Sequence, residues 1–426
     1  MGDSGRVVGV LVCAVGLLSP GCYLAHSLDG ADGPAPLDAS VVDARVARPD
    51  AGPPPPPEEP PPGTRVVQIS VGGDHVCAVS DEGALYCWGQ NDIGQLGVNE
   101  RRASSRPLRV HGLPPIASVS AGASHTCAVD VDGGLWCWGF DHYRQLGVRA
   151  EERPDCGRAV CSPIPLRVPD VPPVRRVWIG VHGTCAELVE GDELRCWGTD
   201  AASRAISRSA VHGVRDLGMG LSHACLWMPD ERVRCVGDGT FGRAGDEGRG
   251  DGIVDLDDVI DLEVGAEHAC VLLADTRVLC WGYNWDGALG IKEGLPYCVH
   301  GDTGGACAIA PIAPTGDPTG TALSIGSRRS CVIDTDGGVT CWGPWTIEGG
   351  TVWCGGGAPE ECDPTPTRVP GIAAPRAISA GDSVVCAIVE DGGVMCWGWD
   401  TDGQLGHGVV EGTLVREPVR VIGFGG

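Results

Sequence analysis

The stretch VVQISVGGDHVCAVSDEGALYCWGQNDIGQLG, residues 66–97, decides the fold, because the chain repeats it. Its partners are IASVSAGASHTCAVDVDGGLWCWGFDHYRQLG (116–147), VRRVWIGVHGTCAELVEGDELRCWG (174–198) and VRDLGMGLSHACLWMPDERVRCVG (214–237). VIDLEVGAEHACVLLADTRVLCWGYNWDGALG (259–290), ALSIGSRRSCVIDTDGGVTCWG (322–343) and PRAISAGDSVVCAIVEDGGVMCWGWDTDGQLG (375–406) complete the seven copies. Short strand-like pieces separate them, as in Pro107-Leu108-Arg109-Val110 and Pro165-Leu166-Arg167-Val168. Each unit thus offers about four short β runs broken by Gly and Asp turns, with no long helical stripe. The chain reads as all-β: a seven-bladed β-propeller of four-stranded blades, since radial repetition buries both faces of each small sheet. A solenoid would need polar end caps, and none is visible. The last piece, Glu417-Pro418-Val419-Arg420-Val421, has no copy after it, and the first copy has no such piece before it. The expectation is that this C-terminal strand pairs into the first blade and closes the circle.

Gly72-x-x-His75-x-Cys77-Ala78-Val79, then Gly83-x-Leu85-x-Cys87-Trp88-Gly89-x-Asn91-x-x-Gly94-Gln95-Leu96-Gly97, resembles the regulator-of-chromosome-condensation repeat. The resemblance covers nearly all of residues 64–426 and implies a seven-bladed propeller, here an exported, cysteine-rich bacterial member. The family's eukaryotic founder is a guanine-nucleotide exchange factor for a small GTPase that docks on chromatin. A bacterial member is a secreted β-lactamase inhibitor, and others bind diverse partners.

Composition narrows the function. Over 426 residues, 31 Lys+Arg face 56 Asp+Glu, a net charge of −25, which argues against nucleic acid and against a basic patch on an anionic membrane. Twenty-two Cys argue against a reducing cytosol. Residues 7–18 (VVGVLVCAVGLL) are an apolar run too short to span a bilayer and suited to a signal-peptide core. Ser19-Pro20-Gly21-Cys22 resembles a lipobox, with Cys22 the lipid-bearing residue, although Ser19 stands where Leu is usual. An ordinary signal peptide is the plainer reading. The domain plan is therefore a signal peptide over 1–21, a Pro-rich tether over 22–63 in polyproline II, and the propeller over 64–426.

Beyond Cys13 and Cys22, twenty cysteines fall into neighbouring pairs. Seven pairs recur once per copy: Cys77 with Cys87, Cys127 with Cys137, Cys185 with Cys196, Cys225 with Cys235, Cys270 with Cys280, Cys331 with Cys341 and Cys386 with Cys396. Three lie in insertions: Cys156 with Cys161, Cys298 with Cys307 and Cys354 with Cys362. All ten pairs are expected to be disulfides. A spacing of ten centres each hairpin on one residue, with Gly83, Gly133, Gly337 and Gly392 free to take positive φ in a three-residue loop. Counting out from Ser80 and Ala84 puts Cys77 and Cys87 on a non-hydrogen-bonded pair, where a cross-strand bridge can close. The third copy, spaced eleven, needs an even loop around Glu190-Gly191. Zinc is the competing reading, with Cys156 and Cys161 supplying half a site, but no second pair adjoins them and exported thiols oxidise.

Other constellations have plain readings. His75, His125, His223 and His268 share a repeat position that elsewhere holds Gly183, Arg329 and Val384, which favours structure over a metal. The Trp of each C-W-G reads as blade packing. Gly220-Leu221-Ser222 is a weak match to a nucleophile elbow, and residues 246–258 to a calcium loop with Arg249 at a ligand position. No copy stands out as gaining a catalytic acid–base pair, so no enzyme, metal or cofactor is expected. The insertions at 148–165, 291–314 and 344–366 leave at one repeat position, hence on one face, and Trp285, Tyr297, Trp345 and Trp353 on or beside them are the candidate protein-binding residues. The reading is an exported, lipid-anchored, monomeric scaffold binding an envelope or extracellular protein, touching the membrane only through its anchor. The alternatives are a glycan hydrolase or lyase with an axial site, and a nucleotide exchange factor.

Overall fold

Each copy folds as an antiparallel meander. In the first, Val66–Val71, His75–Ser80, Leu85–Gly89 and Ser104–Arg109 lie side by side in chain order, the first strand nearest the axis. The second strand is buried at all six positions because another blade covers each face, so it is a continuous apolar run instead of an alternating one. The computed structural model describes residues 58–426 except 155, 158, 200, 208–210, 241–242, 244–250, 285–286, 301–302 and 345–363. Seven such sheets form the propeller. The apolar core lies between blades: Val79, Leu85 and Leu96 of the first pack on Ile116, Val119 and Trp138 of the second.

The hairpins have the geometry that the cysteine spacing implies. Gly83 takes φ 78° and donates to Ser80 O at 2.9 Å, and Cys77 stands opposite Cys87 with Cα atoms 4.1 Å apart. Gly133, Gly337 and Gly392 repeat the positive φ. In the third copy Gly191 and Asp192 share it, within a four-residue loop closed by Leu188 N to Glu193 O. The bridges recur blade by blade: Cys77 is joined to Cys87, Cys127 to Cys137, Cys185 to Cys196 and Cys225 to Cys235. Cys270 is joined to Cys280, Cys331 to Cys341 and Cys386 to Cys396 in the same way. In the insertions Cys156 is joined to Cys161 and Cys298 to Cys307. The expected bridge between Cys354 and Cys362 falls outside the described residues, as do Cys13 and the lipid-bearing candidate Cys22.

The ring does not close by strand exchange. The last strand, Leu414–Arg420, pairs with Val394–Trp399 of its own copy, where Cys396 faces Val419, and the first blade already holds four strands of its own. The phase of a repeat is arbitrary in sequence. Structurally each short piece belongs to the copy before it, as Cys87 opposite Leu108 shows. The seam between the seventh and first blades instead uses the same bonds as the other seams. Val66 N donates to Gly392 O at 2.9 Å, as Ile116 N does to Gly83 O at 2.8 Å and Val174 N to Gly133 O at 2.8 Å. Both chain ends reinforce it. Thr64 bridges Phe424, whose buried ring packs on Tyr86 and Trp88. Residues 58–63, assigned by sequence to the tether, are docked here: Glu58 O accepts from Arg109 N at 2.7 Å, and Glu59 pairs with Arg106 at 3.1 Å.

Two blades depart from four strands. Among the described residues the third has three, and the helix Ala201–Ser207 packs its buried Ala202 and Ile206 where the outer strand would run. The fifth gains a strand, because its insertion folds back as Tyr297–His300 paired with Thr303–Ile312.

Candidate binding face

In an antiparallel meander the turn between strands one and two and the connection between strands three and four share one end. The Gly72-Gly73-Asp74 turns, the Gln95-Leu96-Gly97 segments and the insertions of the second and fifth blades therefore crowd one face of the ring, and the hairpin loops occupy the other; most of the insertion at 344–366 lies outside the described residues. Gln90 N donating to Asp74 O at 2.8 Å ties turn to connection in the first blade.

At the centre of this face seven glycines close the axis: Gly72, Gly122, Gly180, Gly220, Gly265, Gly326 and Gly381, each five residues before its copy's first Cys. A Cβ on Gly326 would stand 1.9 Å from Gly381 O, and one on Gly381 2.0 Å from Gly72 O. None of the seven has positive φ, so the requirement is close approach of backbone alone. Above them lies an axial cavity of about 100 Å³.

Three of the four buried histidines latch blade to blade. His75 Nε2 meets Thr126 Oγ1 at 2.8 Å, and that hydroxyl donates to Gln95 O, which also accepts Trp138 Nε1. His125 with Thr184 and Gln145 O repeats the arrangement, as does His268 with Ser330 and Ala288 O. Where the third copy has Gly183 in the histidine slot, the next blade has Ala224 in the hydroxyl slot, whereas His223 faces Ala269 in that slot and its ring nitrogens have no hydrogen-bond partner among the described residues. Burial drives the imidazoles down, His75 to about 4 and His125, His223 and His268 to about 3. The sign follows: the unfolded chain takes up these protons first, so their contribution is present above pH 6.5 and is lost as pH falls to about 4 for His75 and about 3 for the others. The difference in unfolding free energy between the native protein and His75→Gln should hold steady above pH 6.5 and shrink by about 1.4 kcal/mol per unit below it. A flat difference across denaturant titrations at pH 4.5–7.5 would contradict a buried neutral His75.

Of the sequence-derived contact residues, Trp285, Trp345 and Trp353 lie outside the described residues, and Tyr297 is 70% exposed on the fifth blade's extra hairpin. Two features of the face escaped the sequence reading. One is a cleft of about 390 Å³ bordered by Tyr283, Trp399, Leu221 and the buried Arg329, whose pKa burial lowers to about 10. The other is an aromatic cluster over blades two and three. Phe140 lies 6.1 Å from His142 and 6.0 Å from Tyr143, and Tyr143 lies 4.1 Å from His182. The signal was present in FDHYR at 140–144, where the first copy has QNDIG.

Models of the regulator of chromosome condensation (RCC1) repeat match residues 82–129 and, in a second version, 66–95, 116–145, 259–287 and 376–404. The chain is an RCC1-repeat propeller. The crystal structure of Prp20p from Saccharomyces cerevisiae is similar to it, with TM-score 0.62 and 19% identity over 84% of this chain and 87% of that one. The E3 ubiquitin-protein ligase HERC2 of Homo sapiens is 41% identical over 51 residues, and that of Mus musculus equally so. The match takes in 12% of this chain and about 1% of the length of those relatives.

This RCC1-repeat propeller carries three carboxylates on the inner strands of two adjacent blades. Asp216, Asp261 and Glu263 sit on the inner strands of the fourth and fifth blades, at slots that hold Gln68 and Ser70 in the first. Burial raises all three, Asp261 to about 6 and Glu263 well above its ordinary value; the charge of Asp216 adds to the rise at the other two, and that of Asp261 to the rise at Glu263. Two already have structural duties: Asp216 accepts Trp178 Nε1 at 3.0 Å, and Asp261 accepts Leu323 N at 3.2 Å. Gly220-Leu221-Ser222 is a tight strand-to-strand turn, closed by Gly220 N to His223 O, with no helix after it. Asp251–Val254, inside the calcium-like stretch, is the outer strand of the fourth blade, where Gly252 faces Cys235.

Proposed function

We propose that the RCC1-repeat propeller is an exported, lipid-anchored, non-enzymatic scaffold that binds another protein through the face bearing the insertions. The observation that carries the reading is convergence: the insertions of the second and fifth blades, the cleft beside Tyr283 and Trp399, and the Phe140–Tyr143 aromatics all belong to one end of the ring. Rigid blades and bridges such as that of Cys156 with Cys161 hold these groups in place before contact, so little ordering entropy is lost on binding. Prp20p, of the same fold, is described with binding properties to Gsp1p and histones. Export and the Cys22 anchor rest on the N-terminal apolar run and the cysteine content. A hydrolase or lyase would have to draw on Asp216, Asp261 and Glu263, two of which are committed to holding blades together. Nucleotide exchange is disfavoured because the GTP pool lies inside the cell.

The test is photo-cross-linking in an envelope extract from a probe at Tyr297, compared with one at Val131 in the hairpin loop of the opposite face, 61% exposed. Protein adducts should form from Tyr297 and not from Val131. Adducts from Val131 alone, or none from either, would defeat the reading. Loss of fatty-acid labelling in Cys22→Ala checks the anchor.

A further inference from the structure

Residue 144 departs from a pattern that the first, fifth and seventh copies keep. Its slot holds Gly94, Gly287 and Gly403, at φ 80°, 77° and 80°, and here an arginine at φ 60°. A side chain at the glycines would strike the next blade, the added Cβ standing 2.4 Å from Pro163 Cα, 2.0 Å from Pro364 Cβ and 2.4 Å from Ser105 Cα respectively. Arg144 escapes the collision because the blade it would strike is the third, where residues 201–207 form a helix at the place of the next blade's outer-strand start. Space explains why an arginine fits. It does not explain why a bulky residue occupies left-handed backbone, a conformation that costs energy outside glycine.

The neighbours supply a reason. Arg144 and His142 are exposed at the rim of the Phe140–Tyr143–His182 cluster. Arg144 forms no ion pair among the described residues. The adjoining carboxylate, Asp141, is buried and taken by Arg153 at 2.8 Å and by Leu146 N at 2.9 Å. Arg144 is an exposed guanidinium beside aromatic rings and imidazoles on a chain of net charge −25, and its charge reaches the buried Asp141 without pairing with it. Arginine and tyrosine are also the residues that dominate binding energy at protein interfaces.

We propose that the 140–144 loop, with His182, is the docking site for an acidic segment of a partner protein. A carboxylate of that segment pairs with Arg144, and its apolar atoms rest on Phe140 and Tyr143. This rests on the scaffold reading above and names the chemistry of the partner.

The test uses the full chain and short fluorescent peptides of three kinds: Glu/Asp-rich with one Tyr, Lys-rich, and Ser/Gly-rich. The acidic peptide should bind best, and added salt should weaken it. Arg144→Gly, which installs the residue of the other copies, should keep the fold, raise the unfolding midpoint and weaken the acidic peptide about tenfold. Arg144→Glu should turn the preference toward the Lys-rich peptide. Unchanged affinity in Arg144→Gly, or single-stranded DNA bound as well as the acidic peptide, would overturn the proposal. The two readings fail separately: no adduct from Tyr297 defeats the scaffold, whereas adducts that persist undiminished in Arg144→Gly defeat only this docking site.

Discussion

Gly326→Ala is expected to abolish the closed ring. The added methyl would lie 1.9 Å from Gly381 O and 2.7 Å from Gly381 C, both backbone atoms that no rotamer change can move aside. Relief requires two inner strands to separate, and Gly381 is itself packed on Gly72 O, so the displacement passes on to the first blade. A loss of about 3 kcal/mol or more is expected from overpacking of this severity. Gly180→Ala is the matched control. Its methyl would lie 3.0 Å from Met219 Cβ, with the nearest backbone atom, Gly220 O, at 3.5 Å, so a small local shift suffices. Circular dichroism melts of the two variants should differ widely, and equal melts would refute the steric account of the axis.

Reduction should have the second large effect, and it should come in two stages. The in-copy cysteines are 0–1% exposed, apart from the half-buried Cys196, and Cys298 in the fifth blade's insertion is half-buried as well. A mild reductant acting on the native ring should release the thiols of Cys298 and Cys307 early. Fully buried bridges, such as those of Cys235, Cys280, Cys341 and Cys396, should yield only as fast as blades open. In denaturant all the bridges yield, and a chain kept reduced should not regain the native melt. One bridge can be isolated: Cys127→Ser with Cys137→Ser removes an eleven-residue closed loop and should cost about 2–3 kcal/mol in the chain-entropy model. Rapid labelling of Cys127 or Cys137 in the native protein would show that the bridge does not form.

Much of the architecture was legible in the chain, for a specific reason. Period, strand number and hairpin register are local properties, so Cys77 opposite Cys87 followed from counting between two glycine-bounded runs. What stayed illegible was relational. Whether the strand at 414–420 serves the copy before it or the one after depends on pairing across space, and the repeat looks the same in either phase. The irregular outer edge of the third blade was visible only as Arg208-Ser209-Ala210-Val211 before His212-Gly213, where the first copy has Pro107-Leu108-Arg109-Val110 before His111-Gly112. The contact residues were sought by counting tryptophans in the insertions. That drew attention away from Phe140, His142, Tyr143 and Arg144, which sit inside a regular copy and stand out only when compared with Gln90, Asp92, Ile93 and Gly94. The axial trio was missed similarly, because Asp261 and Glu263 occupy ordinary inner-strand slots.

Since every sheet is drawn from one unbroken piece of chain, the ring has no obligatory beginning. Joining Gly426 to residue 58 and reopening the polypeptide between two other blades would leave each sheet whole. The same independence makes a blade a transferable unit, able to be duplicated or exchanged without unravelling its neighbours. A circle built this way can vary one rim loop at a time while its hub stays constant.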